Sequence, residues 1–265
     1  MPYVDTCVGR LFVDDLGQGA PVLLWPSLLC DGTIWRHQKE ELARDHRLLT
    51  VDPPGHGRSQ PAGRMFTLED CAQAALSVLD AWGFERAVFV GLSWGGMTAL
   101  RVALAAPERV RALALFDTSA DAESLKVIPQ YKLMLEVFKR WGPIDLLVPE
   151  LSRKMFGKET LAKKPDLPRE WVSRLRSFDR QGVVEACEAV IIRRASILPL
   201  LPRIKAPALV ACGDEDRATP LFRSERIARA LPNARLETIP GSGHLSALEQ
   251  PFTVNRLLRE LLARV

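Results

Sequence analysis

Gly91-Leu92-Ser93-Trp94-Gly95-Gly96 stands between the apolar run Arg86-Ala-Val-Phe-Val90 and a helical pattern from Trp94 to Ala106. The run is short, continuous and rich in β-formers, as a strand covered on both faces is. In the helical pattern Met97, Leu100 and Leu104 share one stripe, and Pro107 stops it. A serine between glycines at such a strand-to-helix turn projects its hydroxyl away from the sheet. The glycines are needed because side chains there would collide with the strand or the helix. The helix N-terminus behind the serine favours developing negative charge. Random placement of 17 glycines and 13 serines in 265 residues gives the G-x-S-x-G spacing only about 0.05 times. Spacing and context together mark Ser93 as a nucleophile.

Working outward, further apolar runs cover Pro21–Trp25, Arg47–Val51, Val110–Phe116, Pro207–Cys212 and Arg235–Ile239. Helical patterns lie between them. One spans Thr67 to Trp82 with Thr67 as its cap. Another starts at Pro251 and carries Val254, Leu258, Leu261 and Val265 at helical period. Strands alternating with helices predict an α/β fold with a parallel sheet. From about Ser119 to Leu201 the alternation fails. That stretch holds many charges and the aromatics Tyr131, Phe138, Trp141, Phe156, Trp171 and Phe178, and it reads as several short helices. The expected organisation is a core of residues 1–118 and 202–265 with a helical cap, or lid, inserted over 119–201.

Composition narrows the function classes. Hydrophobic residues make up 47% and charged residues 26%, an ordinary globular balance. The net charge of +4, from 36 basic and 32 acidic side chains, is too small and dispersed for a nucleic-acid footprint. Runs such as Ala112–Phe116 are too short to span a bilayer, so no membrane partner is expected. The opening Met-Pro-Tyr-Val-Asp lacks the pattern of a secretory signal. Cys7, Cys30, Cys71, Cys187 and Cys212 fit no metal motif and read as reduced thiols of a cytoplasmic protein. His37, His46, His56 and His244 show no ligand spacing, so no metal is expected.

A serine nucleophile needs a base. His244, in Gly241-Ser242-Gly243-His244, follows a strand end and precedes the last helix, which suits it to reach Ser93. His37 and His46 flank a helix that looks solvent-facing. His56, in Pro53-Pro54-Gly55-His56-Gly57-Arg58-Ser59, reads as a turn organiser. The acid is open among three carboxylates. Asp214 and Asp216 lie in Gly213-Asp214-Glu215-Asp216-Arg217-Ala218-Thr219-Pro220, where Pro220 is expected to open a helix capped by Thr219. Asp117 follows the strand Val110–Phe116.

The elbow, the Gly213-x-x-Asp216 loop with Pro220, and the Gly241-x-Gly-His244 loop together resemble the α/β-hydrolase superfamily over nearly the whole chain. The resemblance implies a mostly parallel central sheet of about eight strands with helices on both faces. It favours Asp216 as the acid and implies that the backbone N–H of Trp94 is one donor of an oxyanion hole. The segment Trp25-Pro26-Ser27-Leu28-Leu29-Cys30-Asp31 is similar to the Asn-Ser-Leu-Gly version in the 3-oxoadipate enol-lactonase branch, which makes Leu28 the second donor. Pro26 and Leu29 replace that branch's Asn and Gly. Asp117-Thr-Ser-Ala120 and His244-Leu-Ser-Ala-Leu-Glu-Gln-Pro251 resemble the same branch.

The expected chemistry is acyl transfer from an ester or lactone to water, without a cofactor. A small anionic lactone is implied by the branch, and Arg193, Arg194 and Arg176 are candidate cations for its carboxylate, with Trp141 a candidate pocket wall. Carbon–carbon bond hydrolysis and cofactor-free haloperoxidase chemistry use the same scaffold. A ligand receptor without catalysis is the reading from another class. Oligomeric state has no signature in the sequence.

Overall fold

A strand that is apolar on both faces has to be covered twice. The computed structural model, which describes residues 2–265, shows how that is done. Eight strands form one sheet: β1 (Tyr3–Thr6), β2 (Gly9–Leu16), β3 (Ala20–Trp25), β4 (His46–Val51), β5 (Ala87–Leu92), β6 (Val110–Phe116), β7 (Ala208–Gly213) and β8 (Ala234–Ile239). Their order is β1-β2-β4-β3-β5-β6-β7-β8. β1 and β2 form an antiparallel hairpin, β2 runs antiparallel to β4, and every later pairing is parallel.

Side chains alternate between two cores. Leu23, Trp25, Phe89, Leu113, Leu115 and Val210 face α2 (Leu68–Ala81), α3 (Trp94–Ala105) and α9 (Leu221–Ala230). Val22, Leu24, Val88, Val90, Ala112, Ala114 and Leu209 face α1 (Arg36–Leu42) and α11 (Pro251–Leu262). α2 begins as its sequence predicts. The Thr67 hydroxyl accepts from the Asp70 N–H, and the Asp70 carboxylate accepts from the Thr67 N–H. Caps of this kind contribute about 1 kcal/mol.

Two details differ from the sequence reading. The hairpin β1–β2 is absent from the six strands read there. Its acidic, edge-lying segments (burial alternates in β1) lack the continuous apolar run of the inner strands. α9 begins at Leu221 after Pro220, and Thr219 does not cap it. The Thr219 hydroxyl instead donates to Asp216.

Between β6 and β7 no strand occurs among the described residues. The chain there forms α4 (Ile128–Trp141), α5 (Val148–Met155), α6 (Lys158–Lys163), α7 (Asp166–Leu175) and α8 (Arg180–Cys187), followed by a π-helical turn over Glu188–Ile192. α10 (Ser246–Glu249) precedes α11. No described helix is long and apolar enough to cross a membrane. All five cysteines are free thiols.

Candidate active site

The chain turns sharply where β5 meets α3. Ser93 takes φ 54° and ψ −107°, a conformation that non-glycine residues rarely hold. The glycines around it have steric causes. A Cβ on Gly95 would lie 1.9 Å from the Trp25 carbonyl oxygen, and one on Gly91 would lie 2.1 Å from the Gly95 carbonyl carbon. The Ser93 N–H donates to Phe116 O at 2.9 Å, which ties the turn to β6.

Ser93 opens into a cavity also lined by Ser27, Leu28 and His244 from the core and by Leu151, Lys154, Val190 and Ile191 from the helices between β6 and β7. His244 is buried. Its Nδ1 lies 2.9 Å from Asp216 Oδ2. Asp216 accepts further hydrogen bonds from the Ala218 and Thr219 N–H groups and from the Thr219 hydroxyl. Of the three carboxylates open in the sequence, Asp216 is thus the one on His244. Asp214 accepts from the Ser242 N–H at 3.4 Å. Asp117 accepts from the Gly213 N–H at 2.8 Å and from the Ser246 hydroxyl. The other imidazole nitrogen, Nε2, lies 3.4 Å from the Ser27 hydroxyl. Ser93 Oγ, which faces the cavity, has no hydrogen-bond partner among the described residues.

Charge is distributed unevenly. Burial opposes a charge on His244, but Asp216, by charge and hydrogen bond, and Asp117 outweigh it, so its pKa stands above the usual histidine value. Burial likewise raises the Asp216 carboxyl, yet His244 and the Thr219 hydrogen bonds bring it below the ordinary range. For Asp117 the His244 charge and the hydrogen bonds from Ser246 and Gly213 lower the carboxyl too little to offset what raises it. Burial and the Asp216 charge together hold it well above the ordinary carboxylate value. Asp117, Cys212 and Asp216 bring ligand atoms within 4.8 Å of one another. Their oxygens are already hydrogen-bonded, and burial pushes the Cys212 thiol far up, so it stays protonated.

Two backbone N–H groups beside Ser93, those of Leu28 and Trp94, donate to no acceptor among the described residues. The loop that bears Leu28 is held at several points. Gly95 N–H donates to Pro26 O at 3.2 Å. Leu29 takes φ 62°, a left-handed conformation that costs a leucine about 1 kcal/mol. Its N–H donates to His56 Nε2 at 3.3 Å, and its carbonyl accepts from Trp171 Nε1 at 3.0 Å. His56 is therefore more than the organiser of its own turn.

The substrate-binding candidates of the insertion fare differently. Trp141 is 58% exposed and lines neither inner cavity. It follows the outer face of α4, where helical period leaves it in solvent. Arg193 is exposed, because the π-helical turn presents Val190 and Ile191 to the cavity instead. Arg194 does line the cavity, but its guanidinium donates to Asp121 O, Val190 O and Glu123. Arg176 pairs with Asp145 at the surface. Phe138 lines a second, apolar chamber that shares Leu28, Tyr131 and Lys154 with the first. Trp171 and Phe178 pack around the Leu29 loop and His56.

The sequence reading missed Lys154. Its ammonium lies 5.5 Å from the centre of the Tyr131 ring and has no carboxylate within ion-pair distance among the described residues. It also missed Glu249, whose buried carboxylate accepts from Gly157 N–H at 2.8 Å and Leu245 N–H at 3.3 Å, joining the inserted helices to the His244 loop. Nothing in the local sequence separates either from other charged residues, since both depend on how the insertion packs.

Comparison with known proteins shows the family. Residues 20–251 match the family described as the alpha/beta hydrolase fold. The chain is 28% identical to 3-oxoadipate enol-lactonase 1 of Acinetobacter baylyi, over 88% of this chain and 85% of that one. A thermophilic esterase from Thermogutta terrifontis, solved with malate bound, superposes with a TM-score of 0.93 at 29% identity, covering 100% of this chain and 99% of that one. An enol-lactonase from Burkholderia xenovorans superposes with a TM-score of 0.89 at 26% identity, covering 99% and 100%.

Proposed function

Because the chain belongs to the alpha/beta hydrolase fold family, we propose that it hydrolyses carboxylic esters or lactones through an acyl-enzyme on Ser93. The observation that carries this reading is the 2.9 Å contact of His244 Nδ1 with Asp216, in a cavity that Ser93 shares. His244 Nε2 takes the Ser93 proton as Oγ attacks the carbonyl carbon. Asp216 orients the ring and stabilises its imidazolium form. The backbone N–H groups of Leu28 and Trp94 receive the oxyanion. Collapse breaks the ester bond, and the leaving oxygen takes the proton from Nε2. A water, deprotonated by Nε2, then releases the acyl group. His244 moves every proton in this cycle, so the route needs no cofactor.

The inserted helices serve as a lid, since α5 and the turn after α8 complete the cavity. The enol-lactonase relatives extend the reading to a small lactone bearing a carboxylate. A buried carboxylate without a partner is costly. Lys154, which lines the cavity and has no carboxylate within ion-pair distance among the described residues, is suited to it.

The test is covalent labelling with a fluorophosphonate, followed by a screen of lactones against acyclic esters. Labelling should fall on Ser93, and Ser93→Ala should abolish both labelling and turnover while the protein stays folded. Turnover within tenfold of the wild type in Ser93→Ala sinks the proposal. Preference for a diketone over every ester and lactone would move it to carbon–carbon bond hydrolysis.

A further inference from the structure

His56 is buried and plays no part in the proton transfers above. Its ring packs between Trp94, at 5.6 Å between centroids, and Phe178, at 5.1 Å. Nδ1 lies 2.9 Å from Pro54 O. With Nδ1 donating there, Nε2 is the unprotonated nitrogen, and it accepts from the Leu29 N–H. Burial pushes the imidazole down to about 4, which keeps Nε2 an acceptor at neutral pH. On its other side Leu29 is held by Trp171, from α7 of the insertion.

We propose that His56 and Trp171 lock Leu29 in its left-handed conformation and so aim the neighbouring Leu28 N–H at the oxyanion. This makes His56 a positioning residue for acyl transfer. The proposal rests on the acyl-enzyme reading given above. It follows from an oddity of this chain. Glycine takes positive φ readily, whereas a leucine must be held there. Without the two holds, Leu29 relaxes to an extended conformation, the peptide rotates, and the Leu28 N–H leaves the site. The Leu29 N–H, being taken by His56, offers no substitute donor.

His56→Phe is the deciding variant, because phenylalanine keeps an aromatic ring, a somewhat larger one, between Trp94 and Phe178 and removes both ring nitrogens. Active sites are counted by endpoint titration with a fluorophosphonate, so that kcat is read per competent enzyme. The expected result is a fall in kcat of about 10- to 100-fold with KM changed less than twofold. Adding Leu29→Gly to His56→Phe should recover kcat about fivefold, since glycine needs no lock. A merely structural role predicts fewer titratable sites, an unaltered kcat per site and no recovery from Leu29→Gly. Either an unaltered kcat per site or a loss that Leu29→Gly leaves unrepaired overturns the proposal. Should His56→Phe fail to fold, Trp171→Phe removes the opposite hold. It should show the same loss and the same recovery, and an unaltered kcat there overturns the proposal equally. If the wild-type protein does not label at Ser93, the acyl-enzyme reading itself fails, an outcome distinct from normal labelling with an unaffected His56→Phe.

Discussion

The guanidinium of Arg194 meets the carboxylate of Glu123 at 2.9 Å, with the two side chains only 4% and 9% exposed. Glu123 also accepts from Arg223 at 2.7 Å. Arg194 lines the Ser93 cavity, yet its donors are occupied by groups at the two ends of the segment between β6 and β7, Asp121 and Glu123 at its start and Val190 near its finish. It ties the two ends of that segment together, whereas Lys154 has no carboxylate within ion-pair distance among the described residues and is the cation proposed above to meet a ligand.

These two residues should therefore respond differently. Arg194→Met should lower unfolding free energy by about 3 kcal/mol in urea titrations, as removal of one member of a buried pair does. It should alter KM for a carboxylate-bearing lactone and for its methyl ester by the same factor. Lys154→Met should raise KM for the carboxylate form about tenfold, the loss of about one charge-assisted contact, and leave the methyl ester and the urea midpoint unaffected. Equal effects of Lys154→Met on both substrates would remove the anionic-lactone reading.

Asp216→Asn should lower kcat by about 10⁴, because the amide favours the wrong imidazole tautomer. Asp214→Asn, whose carboxylate touches only the Ser242 N–H, should stay within about twofold of wild type. Steady-state kinetics of the two variants decide between these neighbours. A larger loss in Asp214→Asn would reverse the assignment.

In the proposed mechanism only neutral His244 takes the serine proton. Its pKa is held above the ordinary 6.5 by Asp216 and Asp117 against the effect of burial. Activity should thus fall as pH drops through that raised value. In Asp216→Asn the acid limb should move to lower pH, since the main raising influence is gone. Profiles of kcat/KM against pH for both proteins check this, and an acid limb that stays in place counts against the contact with Asp216.

Asp117 titrates in the opposite sense to a paired surface carboxylate. Its folded pKa lies well above the ordinary 3.8, through burial and the Asp216 charge. A group raised in this way contributes stability that is fully present below its unfolded pKa and is lost as pH rises through its folded one. Asp117→Asn keeps an acceptor for the Gly213 N–H and a partner for Ser246. Its Tm should match wild type in acid and exceed it increasingly as pH rises. A Tm difference that does not vary with pH would show that Asp117 is not the titrating group.

The sequence made legible those parts that short-range geometry dictates. The Ser93 turn needs glycines on both sides, and β5 needs apolar residues on both faces, so each leaves a local signature. Asp216 was open against Asp214 and Asp117 because strand ends fix a loop's origin and not which carboxylate folds back; the family's spacing chose it. The binding side chains were harder to find. Arg193 and Arg194 are adjacent in the chain, yet one points to solvent and the other is buried, a difference set by the π-helical turn just before them. Trp141 suits a pocket by chemistry but lies on the outer face of α4. Lys154 becomes special only because no carboxylate of the described residues comes within ion-pair distance of it in the cavity, and no window of sequence displays that.

The carboxylate of Glu249 has a consequence for how such enzymes can be rebuilt. It grips Gly157 in the insertion and Leu245 beside His244 with the same two oxygens, and the backbones meet so closely that a Cβ on Gly243 would lie 2.2 Å from Gly157 N. The insertion is thus not an interchangeable cassette. A chimera that exchanges residues 119–201 for a relative's must keep a glycine facing Gly243 and a free N–H facing Glu249. Otherwise the graft will displace the imidazole even when every residue of the catalytic core is retained.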